Sequence, residues 1–480
     1  MRIVLFLTTA TTDKTSNIIP HLAKHSHWLA PELRLICQYP QRTYRPHAQN
    51  PTLFSNMSGP TADQIAIVKA TVPVLQEHGN AITAVFYKNL INENQSLRNV
   101  FSKTSQDTMR QPRALAGAVL AYATYIDDLP KLAAAVERIA HKHVSLQVTP
   151  AQYDVVGQYL IQAIGQVLGD AATPPIVDAW TAAYGALAAV FIGREGQMYK
   201  KNAADGWVGW RKFRVARRVA ESSTITSFYL APSDGTPLPK YLPGQYISLQ
   251  INVPQLGYLQ SRQYSLSEAP RDAAEYYRIS VKKDEGDEPG LPGILSNLLH
   301  EEYIVGTEVE LSHPQGEFFV DPTDASKEGV PAVLISVGVG ATPLMAILSS
   351  LSPRKGVASI APVQRPVSWI HSSRSSSTLP FGEEVQDICR ENSNVLAHVF
   401  LSTVSPQDKQ AFGYTFFEAR MDLAKLDKEK DLHLSDPRTE YFICGPEGFM
   451  VDIRRVLTGM GVAKERVHLE LFATGDVSDE

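Results

Sequence analysis

The sequence predicts a multidomain chain: an all-α domain, then an antiparallel β-barrel, then an α/β doubly wound domain. Three observations carry this. Residues 62–200 keep helical apolar spacing almost throughout. From 207 to 320, β-branched and aromatic runs alternate with turn residues. From about 330, strand-like and helix-like runs alternate, the pattern of a mostly parallel sheet. A length of 480 residues suits about three domains.

The helical block runs through "DQIAIVKATVPVLQEHG", "NAITAVFYKNLI", "RALAGAVLAYATYI", "PKLAAAVERIAHKH", "PAQYDVVGQYLIQAIGQVLG" and "PPIVDAWTAAYGALAAVFIGREGQMY", broken at Gly, Pro and Asn. Within it, Lys131 to His143 has no Pro or Gly and reads as one helix. Counting back from His143 in helical steps meets Ala140, Ile139, Val136 and Leu132, an apolar stripe. Counting back from His141 meets Arg138 and Glu137. Two residues along a helix turn about 200°, so the two rings point to opposite sides and cannot share one metal. His141 is expected on the solvated face and His143 inward. A lone inward His is either a hydrogen-bonded core residue or an axial ligand to a haem iron, and this stretch leaves both open.

The barrel strands are "FRVARRVAES", "ITSFYLAP", "QYISLQINV", "YRISVKK" and "EVELSHP". "PGQYISL" (243–249) and "SRQYSLSEAP" (261–270) are the informative pair. An Arg-x-Tyr-Ser strand offers the Arg262 cation and the Ser265 hydroxyl to a flavin pyrophosphate or ribityl chain, and Tyr264 to an isoalloxazine ring. The alternative is an edge strand with a buried Tyr. "GILSNLLH" (293–300) puts Gly293, Leu295 and Ser296 at a helix start, where free backbone N–H groups suit a phosphate.

In the third block, "ISVGVGATP" (335–343) places Gly338, Val339 and Gly340 between an apolar strand and a helix opening with Ala341, Thr342 and Pro343. That is the context a dinucleotide turn requires. "FICGPEGFM" (442–450) is a second strand end, with Cys444, Gly445 and Pro446 in a tight turn. "HSSRSSS" (371–377) follows the next strand, and Arg374 with its serines would hold a 2′-phosphate or simply form a solvated loop, leaving NADH or NADPH open.

Bulk properties narrow the partners. A net charge of −5 implies no general attraction to nucleic acid. The three cysteines, Cys37, Cys389 and Cys444, lack metal spacing and argue against a disulfide scaffold. No apolar run reads as long enough to span a bilayer. Residues 1–60 are basic and contain Ser and Thr, either a mitochondrial presequence or an extension not normally translated. A start at Met57 implies a cytoplasmic protein; cleavage of residues 1–56 implies the mitochondrial matrix.

In order and spacing, the reductase motifs resemble the ferredoxin–NADP reductase superfamily, which implies FAD in the barrel and a nicotinamide dinucleotide on the C-terminal sheet. The resemblance carries the flavin site to Tyr241, Arg262, Gln263, Tyr264, Ser265, Gly293, Leu295 and Ser296. It extends to "LELFATGD", with Glu470, Leu471, Phe472, Ala473 and Thr474. There an aromatic covers the flavin, a role that falls to Phe472; the family's usual Gly-Pro after it is Ala473-Thr474 here. With the helical domain in front, the whole order resembles the flavohaemoglobins (nitric oxide dioxygenases) from about residue 62 to 474. "FYKNL", "KHVSLQV", "QYDVVG", "FIGRE", "RQYSL" and "CGPEGFM" carry the likeness.

That resemblance implies a globin domain over 61–203, an FAD barrel over 207–322 and an NAD(P) domain over 328–480, after a leader over 1–60. It implies haem b on His143 as proximal ligand, with Lys142 beside it, Tyr87 as distal donor, Phe101 wedging the haem, and Gln111 and Leu115 on the distal helix. Pro112 disfavours a helical conformation at Gln111, which places Gln111 at a helix start. Tyr153 and Glu195 match a proximal relay to the histidine. Spacing supports this independently: Trp180, Tyr184, Leu187, Phe191 and Glu195 share one helical face, so Glu195 lies among apolar residues and needs a partner. The partner is His143 or, alternatively, a salt bridge from Arg194 or a neighbour. The implied activity is NAD(P)H-driven conversion of NO and O₂ to nitrate by a monomer. The rivals are a haem protein that binds or senses O₂ or NO with an attached reductase, and a plain FAD reductase.

Overall fold

The computed structural model describes residues 59–286, 292–356, 361–404, 415–473 and 475. The segment expected as a leader or untranslated extension, residues 1–60, lies outside them except for Gly59 and Pro60.

The helical domain is built from α1 (Ala62–Ala70), α2 (Val72–Glu93), α3 (Lys103–Asp107), α4 (Arg110–Tyr125), α5 (Ala133–Ser145), α6 (Pro150–Leu168) and α7 (Pro174–Ala204). Its starts are written in the sequence. Thr61 and Gln64 form a capping box for α1, and Thr149 and Gln152 do so for α6, with Pro150 at the first helical position. Phe86, Leu90, Tyr122, Val144, Ala183 and Phe191 meet in one core. Contrary to the expectation that no run is long enough, α7 is long and apolar enough to cross a membrane by composition. The reason is packing: Ala179, Trp180, Ala183, Ala188 and Phe191 of this helix are buried in the domain core.

The second domain holds β1 (Arg211–Ala220), β2 (Ile225–Pro232), β3 (Tyr246–Val253), β4 (Tyr258–Ser265), β5 (Tyr277–Lys282), α8 (Ile294–Glu302) and β6 (Glu308–Leu311). The strands pair antiparallel in the order β4-β3-β6-β1-β2-β5. A bridge between Leu266 and Ile279 links the two edges and closes the sheet as a barrel. Phe213, Phe228, Ile247, Leu249, Ile279 and Leu311 fill it.

The third domain alternates β7 (Ala332–Val337), α9 (Ala341–Leu351), β8 (Val367–Ser373), α10 (Gly382–Glu391), β9 (Val395–Leu401), β10 (Thr415–Glu418), β11 (Glu440–Cys444), α11 (Glu447–Gly459) and β12 (Val467–Glu470). Its sheet is parallel in the order β10-β9-β8-β7-β11-β12. The order reverses between β7 and β11. Their carboxyl ends, which carry the Gly338–Gly340 and Cys444–Pro446 turns, therefore flank the crevice where such sheets take ligands. Strand β10 was not foreseen: it is four residues long and half exposed.

Candidate functional site

His143 sits in the last turn of α5. The helix ends in a Schellman motif: Gln147, at φ 61°, donates to the Val144 carbonyl at 3.1 Å, and Val148 donates to the His143 carbonyl at 3.0 Å. The backbone of His143 is thus fixed by the turn that follows it. Its Nδ1 lies 2.8 Å from Glu195 Oε1 and 2.8 Å from Tyr153 Oη, and Tyr153 donates to the same carboxylate oxygen at 2.5 Å. Glu195 is 2% exposed. Arg194 does not serve it, because its guanidinium pairs with Glu137. A carboxylate only accepts, so Nδ1 carries the ring hydrogen and Nε2 keeps its lone pair. Burial, reinforced by Glu195, holds the Tyr153 phenol far above its usual range, so it remains a donor. Nε2 has no hydrogen bond among the described residues, and the ring is 32% exposed. Of the two readings of His143, this geometry fits a haem ligand with a tuned second partner.

Across the domain, Tyr87 of α2 is buried, edge-on to Phe86 at 4.7 Å and to Phe101 at 5.3 Å between ring centres. Burial raises its phenol above the usual value, against a hydrogen bond from Gln111. Gln111 is the second residue of α4 and accepts from Gln106 Nε2 at 2.9 Å. Pro112 therefore falls in the first turn, where a missing N–H costs nothing, and Met109 at φ 58° makes the preceding bend. Leu115, one turn on, packs half-buried against the core. A pocket of about 230 Å³ opens beside Tyr87, lined by Ala84, Lys88, Ile91, Gln106 and Met109 among others.

The flavin residues gather on β4 and its surroundings. Arg262 donates to the Ser261 carbonyl at 2.8 Å and to Thr104 Oγ1 at 3.3 Å. Among the described residues no carboxylate pairs with it, and burial lowers its pKa. A half-buried cation without a counter-charge is costly; a pyrophosphate would supply the charge. Gln263 Nε2 bonds Ser248 Oγ at 2.9 Å, Tyr264 has its phenol raised by burial, and Ser265 is buried opposite Tyr246. Gly293 caps α8, whose Ser296 hydroxyl turns back on the Gly293 carbonyl at 3.3 Å. Leu295 is 1% exposed and belongs to the barrel core. Tyr241 lies beside the turn that follows β4. Its Oη donates to the Glu268 carbonyl at 2.6 Å and its ring packs edge-on to Tyr277.

All three domains meet near β12. Glu470 ends this strand opposite Cys444 and has its carboxyl pushed up to about 8, by burial and then Glu317, with Lys142 opposing. Burial lowers Lys142, and Glu470 in turn opposes that shift. Leu471 packs half-buried against the sheet core, Phe472 is 49% exposed and Ala473 follows it; Thr474 lies outside the described residues.

At the sheet crevice, a Cβ on Gly340 would stand 2.2 Å from the Cys444 carbonyl oxygen, and one on Gly445 would stand 2.6 Å from Val337 Cγ1. Only glycines let these two turns approach, which is the close packing a dinucleotide turn needs. Thr342 donates to the Val339 carbonyl at 3.0 Å, and Ala341 and Pro343 are buried at the start of α9. Arg374 is exposed, beside a Ser375 to Thr378 capping box.

Residues 84–191 match the Globin family model, and residues 334–455 match the Oxidoreductase NAD-binding domain. A flavohemoprotein of Bordetella pertussis is 44% identical over 86% of this chain and 98% of its own length. That of Chromobacterium violaceum is 44% identical over 85% and 97%. The chain belongs to the flavohaemoproteins. A solved flavohaemoglobin of Malassezia yamatoensis, described with bound FAD and haem, matches with a TM-score of 0.73 at 30% identity, over 87% of this chain and 100% of that one.

As a flavohaemoprotein the chain is an oxidoreductase, and its domains must be held together. Here sequence reasoning missed residues. His141, expected on the solvated face, is only 14% exposed in its side chain and faces the barrel: Gly316 N–H donates to its Nδ1 at 3.1 Å. Gln260 on β4 donates to the Arg98 and Phe101 carbonyls at 2.8 and 3.1 Å and accepts from Lys103 N–H at 2.9 Å. Arg278 of β5, 4% exposed, pairs with Glu384 of α10 at 2.9 Å. Periodicity within one element shows only the faces it buries in its own domain, so these contacts carried no signal.

Proposed function

We propose that this flavohaemoprotein is an NAD(P)H-dependent nitric oxide dioxygenase that converts NO and O₂ to nitrate and so detoxifies NO. The cofactors are haem, FAD and NADH or NADPH, which when bound supply hydride uptake at one end and single-electron and O₂ chemistry at the other. The residues divide the remaining work. Gly338, Gly340 and Gly445 bring backbone close to a dinucleotide. Arg262 and the α8 N-terminus, capped by Gly293, take the flavin phosphates.

On the proximal side, Glu195 accepts the Nδ1 hydrogen of His143 and makes Nε2 a stronger donor, which favours O₂ activation. Tyr153 donates to Glu195 and fixes its aim. On the distal side, the protonated Tyr87 hydroxyl, steered by Gln111, donates to whatever charge develops on the bound gas. The observation that carries the reading is the His143–Glu195–Tyr153 set, hydrogen-bonded through a buried carboxylate, in the same domain as a buried Tyr87.

Nitrate differs from NO plus O₂ by one electron, and NAD(P)H delivers a pair. The test is purified holoprotein in air with NADH or NADPH and metered NO, following NO, NAD(P)H and nitrate together. One NAD(P)H lost for every two nitrate formed is expected. Saturable NO uptake that stops at one equivalent of protein, without nitrate, would make it a binding or sensing protein instead.

A further inference from the structure

Helix α5 carries two histidines with different neighbours. His143 meets the Glu195 relay; His141 meets the barrel. His141 Nδ1 faces the barrel loop at two points, Gln315 Oε1 at 2.9 Å and the Gly316 N–H at 3.1 Å. Its Nε2 lies 3.3 Å from Glu137 Oε1. Glu137 in turn holds Arg194, the residue before Glu195 on α7.

The loop that His141 grips is itself tied to the flavin strands. Gln315 exchanges both backbone hydrogen bonds with Tyr246 of β3, at 2.8 and 2.9 Å. A Cβ on Gly316, at φ 122°, would come within 3.1 Å of the Tyr246 ring. Tyr246 is the register partner of Ser265 in the Arg262–Ser265 strand. One helical turn after His141, Ser145 accepts from Ser248 Oγ at 2.9 Å, and Ser248 also bonds Gln263. Residues 141 and 145 lie on one face, so α5 is bonded to the flavin strands by two points along that face. Of the two, only His141 reaches a backbone N–H of the barrel.

We propose that His141 is a positioning residue that holds the haem-ligand helix in register with the flavin strands and thereby sets the rate of electron passage from FAD to haem. The proposal rests on the FAD-to-haem electron flow assumed in the proposed function. Asn places an amide, donor and acceptor together, where Nδ1 meets Gln315 Oε1 and the Gly316 N–H; Ala places neither.

The experiment is anaerobic stopped flow on holoprotein mixed with NADH, following flavin and haem bands separately, with NADH-driven ferricyanide reduction as a measure of the FAD and dinucleotide domains alone. His141→Ala is expected to slow haem reduction by about tenfold at unchanged ferricyanide reduction, and His141→Asn to recover most of it. In cofactor-free protein, His141→Ala should also speed hydrogen exchange at the Gly316 amide. Haem reduction at the wild-type rate in His141→Ala, an equal fall in ferricyanide reduction, or an Asn variant no better than Ala would each overturn the proposal. If the Ala variant does not accumulate, Gln315→Leu against His141→Asn makes the same comparison from the barrel side. A wild-type haem that NADH never reduces would overturn the functional reading itself, which separates the two failures.

Discussion

In the proposed function, two side chains set the haem environment. Glu195→Gln keeps an acceptor for the His143 Nδ1 hydrogen but removes the charge, so Nε2 becomes a weaker donor. The haem reduction potential should rise and NO turnover fall by about tenfold. Spectroelectrochemistry on the variant checks this, and an unmoved potential would reduce Glu195 to a packing role. On the other face, the Tyr87 phenol titrates above its free value of 10.0, so it remains a donor at all lower pH and contributes no inflection to the rate below that value. Tyr87→Phe should lower kcat/KM for O₂ by about a hundredfold with FAD reduction by NADH unchanged. A rate-pH profile that bends in wild type and flattens in Tyr87→Phe would contradict the assignment.

At the scale of elements, β4 and the β7–α9 turn each make a prediction whose sign differs from ordinary damage. Arg262 has no carboxylate partner among the described residues. Arg262→Met should therefore leave the cofactor-free protein as stable or more so, while weakening FAD binding by about 2 kcal/mol. Thermal melts with and without FAD read both effects, and a cofactor-free variant that melts well below wild type would contradict the reading. Gly340→Ala forces a methyl against the Cys444 carbonyl oxygen. It should abolish saturable NADH and NADPH oxidation while haem and FAD stay bound, as absorption spectra would show. The motifs behind both predictions were legible as short strings because each needs several residues in fixed order at one strand end. Helix α4 was legible only in part: Pro112 marked its first turn, but the helix begins at Arg110 and takes in Gln111, which Pro112 was expected to keep out of helical conformation.

For the whole molecule, legibility stops at the joints. Helical apolar spacing, glycine turns and the apolar face holding Glu195 are local patterns, and the fold class could be read from them. His141 could not: its own helix neighbours, Arg138 and Glu137, say solvent, and the barrel that covers it begins some seventy residues later. The same holds for Gln260, whose partners Arg98 to Lys103 are about 160 residues away. Glu470 makes this joint measurable. Its carboxyl is raised from 4.5 to about 8, so the folded chain retains a proton that the unfolded chain releases. That contribution is complete below pH 4.5 and is lost as pH climbs to about 8. The cofactor-free wild type should lose Tm across that window more steeply than Glu470→Gln; parallel curves would contradict the shift.

The most direct test of the central claim, that one chain draws electrons from NAD(P)H through FAD to a haem that consumes NO, is stopped-flow absorbance with repeated NO pulses. It uses holoprotein in air with excess NAD(P)H, and nitrate is assayed after each pulse. The haem bands should collapse and return with every pulse while nitrate rises in step. A haem spectrum that locks after the first pulse, with NAD(P)H unspent and no nitrate, would contradict it.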